Sequence, residues 1–342
     1  MSVVGAGVSG AIVAQLLDKA GFSIEVYDLA RRYSKPCGEV TPISTLEVLR
    51  THRIEEPQIL NKISSFVLYD INGATIAKAA FRDPIWVSID KSEWVNRLRE
   101  GLELRVHGVH PKKLVSSHDL VIDARGPYAM PGIPVVVWRA YSRARGDIDP
   151  NTAVMFINGG RSIGLVWAFP HGDEINVGGG FVGVSNPKHI ATRVLRKHLK
   201  IHGGFRDGRF SIVNIAPRIR PRKGNILSVG EAGGYVLSLG GEGIRPAVLT
   251  AIAASHLLGG AGKNVDWAMR VLKDVRREVA AHNVLIRISR SMPQPMLAWA
   301  MSSLSTHMLK KWLGGNVRGY VDVARFIYSV FRGVVARLLS FG

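Results

Sequence analysis

Three glycines near the N-terminus, Gly5, Gly7 and Gly10, form G-x-G-x-x-G directly after the apolar run Ser2 to Val4 and at the start of a helical apolar repeat over Ala11 to Ala20. In a strand–turn–helix context this spacing lets backbone amides and the positive end of a helix dipole meet a pyrophosphate. Ser23 to Tyr27 reads as a second strand. Asp28, eighteen residues after Gly10, stands at its end, where a carboxylate accepts hydrogen bonds from a ribose. The spacing predicts a βαβ dinucleotide-binding opening.

Beyond Asp28 the chain does not continue as the unbroken parallel sheet of a simple nicotinamide dehydrogenase. Alternating stretches at Phe66 to Tyr69 and Thr75 to Phe81 predict antiparallel strands. Ser92 to Glu100 predicts a helix, and the apolar run Leu120 to Ala124, ending near Asp123 and Gly126, predicts a return to the first sheet. Val135 to Ala140, Ala153 to Ile157, Gly164 to Phe169 and Glu174 to Phe181 read as strands of a second sheet, with a basic helix from Lys188 to His202 after them. Asn225 to Val229 is a last buried strand, Gly230 to Gly243 a glycine-rich loop, and Ile244 to Leu258 a helix. That strand, acid, glycine loop and helix start suit a second contact with the same long cofactor.

The expected fold is therefore α/β. A Rossmann-like dinucleotide-binding domain (1–50, 90–126 and 213–260) is interleaved with an antiparallel β-sheet substrate domain (51–89 and 127–212), and 261–342 forms a helical C-terminal region. At 342 residues the chain can bury a substantial core.

Four segments resemble the geranylgeranyl reductase family of flavoproteins, within the para-hydroxybenzoate hydroxylase-type fold. They are VVGAGVSGAIVAQLL, YSKPCGEVTP, VWAFPHGDEINVGGGFVG and SVGEAGGYVLSLGGEGIRPAV, spanning Val3 to Val248 in the family's order. The first and last are common to many FAD proteins, whereas the K-P-C-G loop and the W-x-F-P segment with V-G-x-G after it are narrower. The resemblance implies FAD as cofactor. It sets Gly5, Gly7, Gly10 and Asp28 at the adenosine and pyrophosphate, Glu231 near the ribityl and pyrophosphate groups, and Gly241, Gly243 and Ile244 along the isoalloxazine. Lys91 takes the FAD-facing position where the family has Arg, and Asp123 and Gly126 end the returning strand of the cofactor domain. Cys37 and Gly38 would lie in a loop beside the flavin, with Cys37 the candidate catalytic proton donor. Trp167, Phe169 and Pro170 would line the substrate side of the ring. Glu231 stands where the family has Asp, and Leu165 where it has an aromatic residue.

The implied reaction is saturation of carbon–carbon double bonds in geranylgeranyl chains, on isoprenoid ether lipid or phospholipid precursors. A flavin monooxygenase of the same fold, or a degenerate flavoprotein serving as a lipid-binding subunit, are the alternatives. The electron donor is left open between ferredoxin, a separate reductase and NAD(P)H.

The remaining features bound partners and compartment. A formal charge of +19 favours anionic partners, a membrane surface among them. The basic residues are spread along the chain without a nucleic-acid-binding signature, so no nucleic acid is expected. The single cysteine excludes an intrachain disulfide and fits a reducing, cytoplasmic compartment, while the positive charge allows peripheral attachment to an anionic membrane. The near pairs His198/His202 and His107/His110 lack the carboxylate motif of a known metal site, and no metal is expected. In the C-terminal region Arg318, Arg325 and Arg332 recur every seven residues beside Phe326, Ile327, Val330, Phe331, Val334 and Leu338, a pattern suited to an anionic membrane or to core packing. Met292, Met296, Met301 and Met308 are candidates for an adaptable lipid pocket.

Overall fold

The computed structural model describes residues 1–129, 132–144, 146, 148–260, 262–315, 322, 324, 325, 327 and 328. The first strand, Ser2–Val4, is fully buried and pairs in parallel with Glu25–Asp28 on one side and Val121–Asp123 on the other. Its sheet has six strands in the order Arg222–Lys223, Ile226–Ser228, Val121–Asp123, Ser2–Val4, Glu25–Asp28 and Leu104–Val106. Every pairing is parallel except that of the two-residue edge strand Arg222–Lys223. Strands buried on both faces read as unbroken apolar runs, which is why these short segments stand out in the sequence.

Two helices cover this sheet. Helix α1 (Val8–Lys19) packs against the later helix Ile244–Gly259 through Ala11, Ile12, Ala14, Val248, Ala251 and Ile252, all essentially inaccessible. Alanines at the contact let the two backbones approach closely. Between them in sequence come α2 (Ser44–Thr51), α3 (Lys91–Leu98) and α4 (Pro187–Leu199), so Ile244–Gly259 is α5. The C-terminal part continues as α6 (Lys263–Ser291), α7 (Gln294–Ser302) and α8 (Thr306–Leu313).

The second sheet has seven strands in the order Phe205–Ile215, Ile133–Ser142, Glu174–Val182, Gly164–His171, Thr152–Asn158, Ser65–Asp70 and Thr75–Ala80, all antiparallel except the pairing of Thr152–Asn158 with Ser65–Asp70. One face packs on α4 through Trp138, Val166, Val194 and Leu195. The other carries Trp167, Phe169, Leu165 and Met155 toward α7 and α8. A small third sheet of Val40–Pro42, Trp86–Ile89 and Ile59–Ile63 lies between.

The strand Phe205–Ile215 is not among those the sequence predicts, and it runs across the expected junction at 212/213. It is an edge strand, exposed along much of its length, with Arg206, Asp207 and Arg209 where a core strand would alternate apolar residues. Its pairing with Ile133–Ser142 holds it, not its own hydrophobic pattern. Of the basic C-terminal stripe, Arg318, Arg332, Phe326, Val330, Phe331, Val334 and Leu338 lie outside the described residues. Among the described residues no helix is long and apolar enough to cross a membrane.

Candidate functional site

A cavity of about 1070 Å³ runs between the two large sheets, bounded by the N-terminal glycine turn, the loop 33–39, the loop 236–243, the inner face of the seven-stranded sheet, and α6 to α8.

At the glycine turn each glycine has a separate reason. Gly5 has φ +93°, and a Cβ there would lie 2.5 Å from the Ala124 carbonyl oxygen. A Cβ on Gly10 would lie 1.8 Å from the Gly5 oxygen, so Gly10 lets α1 sit directly on the turn and does not itself line the cavity. Gly7 meets nothing closer than 3.6 Å and does line it. Gly7 is also the N-cap of α1, which has no side-chain cap and no acidic residue in its first turn, leaving the positive helix end to the cavity. Gly240, Gly241 and Gly243 likewise have open space where a Cβ would stand, and α5 starts at Ile244 without a side-chain cap. Two uncapped helix starts and glycines bordering empty volume are the donor set and clearance a pyrophosphate-containing dinucleotide requires.

Asp28 lines the cavity, but both of its oxygens are already engaged, Oδ1 accepting from the Ala30 amide at 3.2 Å. Its Oδ2 accepts from the Ala6 amide at 2.6 Å and from Arg99 Nη2 at 2.8 Å. Arg99, buried, also donates to the carbonyls of Ala6, Ala30 and Arg31. The carboxylate and Arg99 together brace the turn. Glu231 comes just after the strand Ile226–Ser228 and is held from two sides, by Lys35 Nζ at 2.9 Å and by the Asn214 amide at 3.1 Å. Gly126 borders the same carboxylate. Lys91 is buried, with Nζ donating to the Lys35 carbonyl at 2.9 Å and lying 5.2 Å from the centre of the Tyr33 ring. Burial opposes its charge, yet Cys37, Tyr33 and Glu39 outweigh that and hold its ammonium above the ordinary lysine range.

The K-P-C-G loop lies on the second sheet. Trp167 and Phe169 share one face, as their i, i+2 spacing predicts, with ring centroids 6.2 Å apart. A Cβ on Gly38 would meet the Phe169 ring at 3.1 Å, so glycine allows the close approach. Cys37, Gly38, Trp167, Phe169, Lys91, Gly126, Glu231, Gly241, Gly243 and Ile244 are all brought to the cavity wall. Pro170 and Asp123 are not. Asp123 is paired with Arg125 at 2.8 Å below the wall. Of the four methionines only Met301 reaches the cavity, while Met296 is exposed. His107 and His110 line the cavity beside Tyr27, and among the described residues no three metal-ligating side chains converge.

Behind Cys37 lies a buried polar network that no sequence motif marks. The Glu39 side chain is 1% exposed, its backbone has φ +56°, and its Oε2 accepts from Tyr141 OH at 2.5 Å and Asn176 Nδ2 at 3.3 Å, with His171 Nε2 at 3.0 Å. Asn176 also donates to the Cys37 carbonyl at 2.9 Å and accepts from Trp167 Nε1 at 3.0 Å. Burial would raise the Glu39 carboxyl, but the hydrogen bond from His171, the charge of Lys91 and the hydrogen bond from Tyr141 bring it below the usual range. Tyr141 is raised, first by burial and then by that carboxylate. The available signal is Asn176, a lone amide within the otherwise apolar stretch Ile175 to Val182.

Residues 3–45 match the NAD(P)-binding Rossmann-like domain family. The chain is 35% identical over 120 residues to digeranylgeranylglycerophospholipid reductase 2 of Methanosphaera stadtmanae, a match covering 32% of this chain and 30% of that protein. The structure resembles a geranylgeranyl bacteriochlorophyll reductase-like protein from Thermoplasma acidophilum, with a TM-score of 0.61, 16% identity, and 99% and 98% of the two chains covered. CtdE in complex with FAD and a substrate gives a TM-score of 0.58 at 16% identity, with 99% of each chain covered. A 2-methyl-3-hydroxypyridine-5-carboxylic acid oxygenase gives 0.62 at 14% identity, covering 93% of this chain and 98% of the other. In fold the chain is therefore similar to these proteins, one of them solved with FAD bound, and its opening segment is a Rossmann-like dinucleotide-binding one.

Proposed function

We propose that the protein is an FAD-dependent oxidoreductase that saturates carbon–carbon double bonds of geranylgeranyl chains, carried on isoprenoid ether lipid or phospholipid precursors. The observation that supports this best is the single continuous cavity. It joins a pyrophosphate-type cradle, the Cys37 loop and an apolar chamber walled by Trp167, Phe169, Leu297, Met301 and Leu309. A compact polar substrate would not need that chamber.

In this reading the amides around Gly7 and the start of α5 hold the cofactor's phosphates, with Lys35, Lys91 and Glu231 fixing the loop beside it. When bound, the reduced flavin supplies a hydride to one alkene carbon. The protein's share is to hold the alkene, exclude water and deliver a proton to the other carbon, so that the product gains two hydrogens per bond. Cys37 or a water is the proton source, and the Glu39–Asn176 network positions the Cys37 backbone. Anionic lipid headgroups would be drawn to the positively charged molecule, and raising salt should then weaken binding to anionic vesicles.

The visible spectrum of the purified protein, anaerobic dithionite reduction and addition of a geranylgeranyl lipid test the reading together. Flavin bands that reoxidise while the lipid gains two-hydrogen mass increments are expected. A folded, colourless protein unable to take up FAD would refute it. The similarity in fold to an oxygenase motivates a second reading, a flavin monooxygenase, in which substrate-dependent oxygen consumption replaces anaerobic lipid reduction. Cys37→Ser with unchanged turnover would leave water as the proton source.

A further inference from the structure

Helix α6 presents His282, Ile286 and Ser289 to the cavity, at the four- and three-residue spacing of one helical face. His282 is 5% exposed, its ring centroid is 5.0 Å from that of Trp312, and among the described residues neither ring nitrogen has a hydrogen-bond partner. A buried imidazole with both polar positions unmet is less favourable than an apolar ring of the same size, so it points to a partner supplied from the cavity.

The surrounding charges restrict that partner. Arg245, close enough to His282 to disfavour its protonation, is already engaged by Glu278 Oε1 at 2.6 Å and by Glu242 Oε1 at 3.5 Å. Burial first, and then Arg245, push the His282 pKa down to about 3, so the ring is neutral and offers one N–H donor and one lone-pair acceptor. Glu242, also at the cavity wall, has its carboxyl raised by burial although Arg245 opposes this. An anion here would meet two carboxylates and a guanidinium already shared between them. A hydroxyl or ether oxygen carries no such penalty, and Trp312 against the ring, with Met301 and Leu304 elsewhere on the same cavity wall, suits a hydrocarbon chain.

We propose that His282, with Glu242 linked to it through Arg245, forms a binding subsite for the uncharged hydroxyl or ether oxygen of a long-chain isoprenoid lipid whose chain lies along α6, α7 and α8. The proposal rests on the lipid reading above. It implies that a phosphate headgroup, where present, is held elsewhere.

Binding can be measured without turnover, on the FAD-loaded protein, by quenching of tryptophan fluorescence with two detergent-solubilised probes: geranylgeraniol and the hydrocarbon of equal length lacking the oxygen. His282→Leu should weaken geranylgeraniol binding about tenfold, the loss of one good hydrogen bond, and leave the hydrocarbon unchanged. His282→Gln, which keeps a donor and an acceptor, should recover most of that loss. Equal effects on both probes, or on neither, would overturn the subsite and leave the lipid reading standing. Lowered FAD affinity with unaltered alcohol binding would overturn it too, by giving the ring to the cofactor. A parent protein that binds neither probe would sink the lipid reading and the subsite together.

Discussion

A methyl group added to Gly10 and one added to Gly7 would test opposite properties of the same turn. The first would sit 1.8 Å from the Gly5 backbone oxygen, and Gly5 is itself tied to the sheet by its amide donating to the Tyr27 carbonyl at 2.7 Å. Gly10→Ala should therefore lower stability by roughly 1–3 kcal/mol or more, read as a fall in urea midpoint. The second would point into the cavity, so Gly7→Ala should melt like the parent when both are free of FAD, and should lose FAD affinity. Equal melting of the two variants would contradict this division. His282 supplies a residue-scale prediction about acid. Its folded pKa is depressed from 6.5 to about 3, so between those values the unfolded chain binds the extra proton. Its contribution is complete above about pH 6.5 and is lost as pH falls toward 3. Relative to the parent, His282→Leu should flatten the decline in stability across that window, measured by denaturant titration at several pH values.

At the scale of elements, the strand Glu174–Val182 explains why W-x-F-P and V-G-x-G occur together. Trp167 is registered opposite Gly178, and a Cβ on Gly178 would lie 2.2 Å from the indole and 2.4 Å from the Trp138 carbonyl. The glycine makes room for the ring, which in turn covers bare backbone. From there the indole holds Asn176, and Asn176 holds the Cys37 carbonyl. Gly178→Val should displace Trp167, shift tryptophan emission to the red, and cost about 1–3 kcal/mol. An unchanged spectrum and stability would break this chain of contacts. The same strands mark what sequence can convey. Trp167 and Phe169 share a face because a strand alternates, a local property visible in spacing. Glu39 escapes notice in the sequence although it lies two residues from Cys37, because its burial is made by Tyr141 and Asn176, 102 and 137 positions away. Phe205–Ile215 escapes it for the complementary reason. Its exposed stretch Arg206 to Arg209 has no apolar alternation to display, and its neighbour dictates its conformation.

Across the whole molecule, the strand order places Ser2–Val4 beside Val121–Asp123 and that beside Ile226–Ser228, so one wall of the cavity is assembled from three distant parts of the chain. A dinucleotide spanning the turn at Gly5–Gly10, the loop around Lys35–Glu39 and the segment Glu231–Ile244 would tie those parts together. Its binding energy would appear as folding stability, because the unfolded chain has no such cradle. At a free FAD concentration one hundred times the dissociation constant the gain is about 2.7 kcal/mol, enough to raise the melting temperature by a few degrees. Hydrogen exchange locates the source of that gain. On adding FAD to the apoprotein, amides should slow in all three segments, while the exposed first half of the edge strand, Arg206 to Arg209, which lies off the cavity wall, should change little. Protection confined to the opening βαβ unit would mean that the Glu231–Ile244 segment does not touch the cofactor. The lower half of the proposed site would then have to be rebuilt around a shorter nucleotide.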